Sequence, residues 1–115
     1  MSVIKSAMSG ISVDLLVDQS VDETTSEGIA IPSSFKQHKF NIKTSAGVAS
    51  GAITLESANV ADYSGIWNPI TTAITVPAAS SESEFLISGL FSAIRARIST
   101  VIGGGTVSVS YVGSH

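Results

Sequence analysis

Residues 91–113 read "FSAIRARISTVIGGGTVSVSYVG". Two alternating runs flank three consecutive glycines. In the first, Ile94, Ala96 and Ile98 fall on one side and Arg95 and Arg97 on the other; in the second, Val107, Val109 and Tyr111 alternate with Ser108 and Ser110. Successive side chains of a strand point to opposite faces, so a period of two specifies strands with one buried face. A helix would need apolar residues three and four apart, and neither run has that spacing. Glycine tolerates the positive φ of a tight turn or bulge. The segment therefore reads as the closing hairpin of an all-β domain.

The same period recurs upstream. In "HKFNIKT" (residues 38–44), His38, Phe40, Ile42 and Thr44 share one face and Lys39, Asn41 and Lys43 the other. "SAGVASG" follows with small residues suited to a turn, and "AITLES" returns with Ile53 and Leu55 inward and Thr54 and Glu56 outward. This predicts a two-strand hairpin from His38 to Ser57, with Lys39 or Lys43 across from Glu56 in a pair of ~0.2–1 kcal/mol. Near the start, Ile11, Val13, Leu15 and Val17 alternate with Ser12 and Asp14. "SANVADYSGIWNPI" reads as a turn-rich crossing anchored by Trp67 and Ile70, and "TTAITVP" as a short strand stopped by Pro77. "AASSESE" reads as loop and "FLISGL" as extended. The sum is about seven or eight short strands without a helix, an antiparallel β-sandwich of jelly-roll or Ig-like type.

Two stretches fall outside the pattern. Residues 1–9 read as an N-terminal arm, leaving residues 10–115 as a single sandwich domain. Residues 18–35, "DQSVDETTSEGIAIPSSF", form a long acidic loop with a short extended piece at Ile29–Ile31, ended by Pro32. Loops of this length inside a compact domain are usually functional or ordered by a partner.

Composition narrows the function. The chain has 115 residues, no cysteine, 13% charged residues and a formal net charge of −3. One core is the expectation at this length, without disulfides or thiolate zinc. So few charges leave the surface to Ser, Thr and Asn, or leave part of it covered by a partner. Nucleic acid rewards clustered Lys and Arg, which are absent here, and no run approaches the roughly 18 apolar residues of a membrane helix. The first residues lack the continuous apolar stretch of a signal peptide, so synthesis in the cytoplasm is expected.

Catalytic chemistry is hard to assemble. There are two histidines, His115 at the terminus and His38 within an alternating strand, and no serine lies in a nucleophile elbow. Asp18, Asp22, Glu23 and Glu27 are oxygen donors a hard cation would accept, but their spacing matches no EF-hand and fits a solvated loop. Gly103–Gly105 lack the Lys and following helix of a phosphate loop. Neither an enzyme nor a cofactor is expected. Three sets of residues remain. Tyr63 and Trp67 either form a sugar-stacking platform or bury Trp67 at one end of the sandwich. Arg95 and Arg97 pair either with Glu56 within the subunit or with acidic residues of a neighbour, since the planar guanidinium grips carboxylates bidentately. Asp22 and Glu23, in the acidic loop, are the acidic candidates for contact with a partner.

The order "HKFNIKTSAGVASGAITLESA", "DYSGIWNPI" and "AIRARISTVIGGGTVSVSYVG" resembles small all-β proteins encoded among the virion genes of tailed bacteriophages. The likeness covers about residues 37–113 and leaves the N-terminal third apart. It implies an accessory structural protein of the virion, assembled in the host cytoplasm and without catalytic residues. A head decoration (cement) protein that stabilises the capsid is the leading expectation, with a tail or fibre component next. A carbohydrate-binding module for host attachment, using Tyr63 and Trp67, is the alternative from another class. The implied partners are the major capsid protein and further copies of the chain, as a trimer, through residues 1–9, the 18–35 loop and Arg95 and Arg97.

Overall fold

The computed structural model describes residues 10–21, 23–26, 28–32, 34–58, 67–76 and 79–114. Among these are nine strands and no helix: β1 (Gly10–Gln19), β2 (Ile29–Ala30), β3 (Gln37–Thr44), β4 (Ser50–Ala58), β5 (Asn68–Pro69), β6 (Ile74–Thr75), β7 (Glu82–Ser88), β8 (Ala93–Gly103) and β9 (Val107–Ser114). One sheet has the order β1-β9-β3-β7 and the other β2-β8-β4-β5, with β6 also on β4. The pairs β1/β9, β2/β8, β3/β7 and β4/β5 are all antiparallel. First pairs with last, second with next to last, and so inward: a single long hairpin rolled into two sheets. That is the jelly roll.

The core lies between the sheets. Phe40, Ile42, Val107, Val109 and Tyr111 from one meet Ile53, Leu55, Ile94, Ala96 and Ile98 from the other, all at most 1% exposed. The alternating faces of these strands fall as the sequence predicts.

The connections do not. β3 and β4 lie in different sheets, so the predicted hairpin from His38 to Ser57 is an arch that crosses the sandwich. β8 and β9 likewise belong to opposite sheets, and Gly103–Gly105 make a second arch where a closing hairpin was expected. The two arches brace each other: Ala49 N–H donates to the Gly103 carbonyl, Ser45 N–H to the Thr106 carbonyl, and Thr106 N–H to Ser45 Oγ. Gly47 and Gly104 hold φ of 93° and 90°, and a Cβ on Gly104 would strike the Gly47 carbonyl oxygen. The glycines therefore serve close backbone approach as well as turning.

Three smaller readings change. In β1 the register shifts between Asp14 and Leu16, so Leu15 and Leu16 are both buried and Val17 turns out to 55% exposure. A bulge inserts one residue and reverses the alternation beyond it, which is why Val17 lost its predicted inward place. β1 also runs to Gln19, into the predicted loop, and β7 takes Glu82–Glu84 from the predicted loop before Phe85. The described residues between Ser20 and Ile31 lie along β8. Ile102 N–H donates to the Ser20 carbonyl, Glu23 N–H to Ile98, Ile98 N–H to Thr24, Ser26 N–H to Ala96 and Ile31 N–H to Ser92. This segment is an irregular edge of its own sheet. The arm, residues 1–9, lies outside the described residues, as do Asp22, Glu27, Tyr63 and His115.

Candidate functional site

The outer face of the β8/β4 sheet gathers four residues singled out from sequence: Arg95, Arg97, Glu23 and Trp67. At their centre is Glu56. Register places Glu56 of β4 opposite Arg95 of β8, with Arg97 two residues along the same face. Arg95 Nε donates to Glu56 Oε1 at 2.7 Å and Arg97 Nε to Glu56 Oε2 at 3.1 Å. Arg97 also donates through Nη1 to Glu23 Oε2 at 3.0 Å. Each oxygen of Glu56 thus receives its own guanidinium.

The expected partners for Glu56, Lys39 or Lys43, lie in the other sheet, where Lys39 pairs with Glu84 at 3.2 Å. Glu56 faces away from the core as predicted, yet its side chain is only 7% exposed. Arg95 and Arg97 flank it, at 23% and 25% exposure, and Pro69 of β5 lies beside it in the sheet. Charged hydrogen bonds of this kind are short and strong, and a carboxylate so covered needs them. The Glu56 hydrogen bond, with the charges of Glu56 and Glu23, outweighs burial and holds Arg97 more firmly protonated than a free guanidinium.

Trp67 extends the cluster. It is 8% exposed and packs with Ala58 and Ala93, small residues on the same outer face, apart from the main core. The Arg95 guanidinium carbon stands 4.6 Å from the ring centroid, a cation–π contact. A Cβ on Gly28 would collide with the far edge of the indole, so a residue of the N-terminal edge segment packs against it as well. The ring is therefore packed within the chain, on the outside of one sheet, against the last residue of β4 and the first of β8. Tyr63 and Asp22, the other two residues singled out, lie outside the described residues.

Other polar groups are dispersed. Asp18 has φ of 49° and accepts from Thr106 Oγ1 at 3.4 Å, while Glu23 faces Arg97, so the two described carboxylates of the acidic loop turn to different partners. Among the described residues no group of three or more His, Asp or Glu side chains is placed to hold a metal ion. A cleft of about 290 Å³ is lined by Lys43, Thr44, Ser80, Ser81 and Glu82.

One buried polar pair had no signal in the sequence. His38 and Tyr111, 1% and 0% exposed, meet in the core with Nδ1 and the phenol oxygen 2.6 Å apart. Nε2 lies 2.9 Å from the Gly89 carbonyl oxygen. A carbonyl oxygen only accepts, so Nε2 carries a proton, and in the neutral ring Nδ1 accepts from the Tyr111 hydroxyl. Both ring nitrogens are occupied. Burial pushes the Tyr111 phenol up to about 12. The two residues are 73 positions apart, and no local pattern could have joined them.

The fold recurs in a prophage-derived protein. The crystal structure of SPBc2 prophage-derived protein YomS matches this chain with a TM-score of 0.61 at 14% identity, over 92% of this chain and 93% of that one. This likeness shows a common fold along nearly the whole of both chains. The K3 cleaved adhesin domain of Lys-gingipain from Porphyromonas gingivalis matches at 0.49, with 12% identity, over 92% of this chain and 74% of that one. A structure of Bacillus endospore appendages, described as disulfide-linked pili, matches at 0.46, with 12% identity, over 92% and 88%. No protein-family model matches the sequence, and no curated protein matches it by sequence.

Proposed function

We propose that this chain is an accessory structural protein of a phage particle, a decoration protein that sits on the capsid in repeated copies and stabilises it. The observation that carries the reading is the jelly roll shared with a prophage-derived protein over 92% of this chain. It agrees with the resemblance of residues 37–113 to small virion proteins. Jelly rolls serve viral capsids and also lectins, so fold alone supports the reading by analogy. The outer-face charges support a binding or packing role in preference to catalysis. Arg95 and Arg97 are both spent on Glu56, and the one described histidine is buried with both nitrogens bonded. Weak contacts repeated over a symmetric shell add up through multivalency.

Electron microscopy of particles bearing a labelled copy tests the proposal. Label spread over the head is the expected result. Label confined to the tail or fibres would replace decoration by a tail role, and absence from purified particles would overturn the virion reading. Truncation of residues 1–9 should leave the isolated fold intact and reduce occupancy on particles.

A further inference from the structure

The four sheet edges of the sandwich are not alike. Unpaired edges invite pairing with another chain, and proteins blunt them with short strands, proline, bulges or cover. β1 carries register shifts on both sides of Leu16 and a positive φ at Asp18. The β8 edge is covered by residues 20–21, 23–26 and 28–31 of the same chain. The far edge of β4 ends in the two-residue strands β5 and β6, with Pro69 in β5. β7 has none of these devices. It pairs with β3 in unbroken register over Glu82–Ser88 and has no second partner strand among the described residues.

The direction of its free groups follows from the ladder. Gly89 N–H donates to the Lys36 carbonyl and Thr44 N–H to the Ser81 carbonyl. Bonded and non-bonded pairs alternate in an antiparallel ladder, so Ser83, Phe85 and Ile87 bond to β3. The amides and carbonyls of Glu82, Glu84, Leu86 and Ser88 then point to the open edge. The charges that would guard it are turned back: Glu84 pairs with Lys39, and Glu82 accepts from Asn41 Nδ2 at 2.8 Å. What remains outward is Leu86, 80% exposed, while on the inner face Phe85 and Ile87 stay half-buried because no strand lies beyond them.

We propose that β7 pairs antiparallel with β7 of a second copy across a two-fold axis at Leu86. With the other edges blunted, an open β7 meets its like, and self-pairing of one edge is isologous and closes as a dimer. The open groups restrict the register. Glu84 opposite Glu84 would set like charges against each other, which disfavours it. Leu86 opposite Leu86 places Glu84 across from Ser88 and covers the exposed leucine. It also sets Phe85 against Ile87 twice on the inner face, the aromatic and β-branched pairing that favours adjacent strands. The eight strands of the two β7-containing sheets then form one continuous sheet. This two-fold contact stands in place of the trimer that the resemblance implies.

The chain has no cysteine, so single cysteines read the register directly. In this register the Cα atoms of residue 86 lie about 5.5 Å apart, within disulfide reach, and those of residue 84 several residues out of step. Purified protein should show a concentration-dependent dimer by light scattering. Leu86→Cys should become a disulfide-linked dimer without reductant, and Glu84→Cys should stay largely uncrosslinked. Leu86→Lys should shift the equilibrium at least tenfold toward monomer with an unchanged circular dichroism spectrum. Val112→Lys, on the same outer face but on an interior strand, should leave the dimer intact. A monomer at millimolar concentration, a trimer, or crosslinking through residue 84 as readily as through residue 86 would overturn the proposal. No particle is involved, so this outcome is separate from that of the virion reading.

Discussion

Replacing Glu56 by alanine should destabilise the fold more than any other change on the outer face. Both carboxylate oxygens are engaged, by Arg95 at 2.7 Å and Arg97 at 3.1 Å, and the side chain is 7% exposed. Removing one partner of a buried pair costs ~3–5 kcal/mol, because the charge left behind has lost both its partner and its water. Here the orphans are two arginines about a quarter exposed, so water recovers part of the loss and ~2–4 kcal/mol is the better figure. They also repel each other across the vacated site. For a domain of this size each kcal/mol lowers the melting temperature by ~4 °C, giving a drop of ~8–16 °C. Glu56→Gln keeps the shape and one acceptor and should lose about half as much. Trp67, the single tryptophan, sits against Arg95 and gives a fluorescence signal from this face during the melt. In a double-mutant cycle, Glu56 should couple more strongly to Arg95 than to Arg97, since Glu23 holds Arg97 as well. A melting temperature for Glu56→Ala within 2 °C of the parent would refute the reasoning. Glu56 would then be no more than a surface charge.

Three further outcomes follow from the fold. The raised Tyr111 phenol favours the neutral form in the folded state, so its contribution is complete below the ordinary value of 10.0 and is lost as pH rises through about 12. Stability should decline by ~1.4 kcal/mol per pH unit between pH 10 and about 12, and Tyr111→Phe should remove that slope; an equal slope in the variant would point elsewhere. Gly104→Ala should cost ~2–4 kcal/mol through its positive φ and the collision with Gly47, and a neutral effect on chemical denaturation would show that the arches can separate freely. Ile42→Asp and Leu55→Asp each bury an unpaired carboxylate at a site with no exposure, and soluble folded protein from either would mean that the inward faces are misassigned.

What the sequence made legible was local. Alternation fixed which residues of β3, β8 and β9 face inward, because the period of a strand is a property of its own backbone. Sheet membership is not. Two alternating runs joined by a few small residues look alike whether they pair as a hairpin or cross as an arch. What separates the cases here is contact between Ser45–Ala49 and Gly103–Thr106, more than fifty residues apart in the chain. The bulge that turned Val17 outward is equally invisible, since Leu15 and Leu16 together satisfy either register.

The same distinction accounts for the outer face. Arg95 and Arg97 at alternate positions announced a shared face, and Glu56 was a candidate partner on chemistry alone. That both arginines reach the same carboxylate depends on β4 lying beside β8, a pairing of residues 39 and 41 positions apart. Once paired, the charges hold Trp67 over Ala58 and Ala93 and, through Glu23, tie the N-terminal edge segment onto the sheet. The segment so held covers β8. With β8 covered, β1 bulged and β4 capped by short strands, the open edge that remains among the described residues is β7. The internal use of Arg95 and Arg97 therefore bears on the proposed pairing of β7, by closing one edge of the molecule against a second strand.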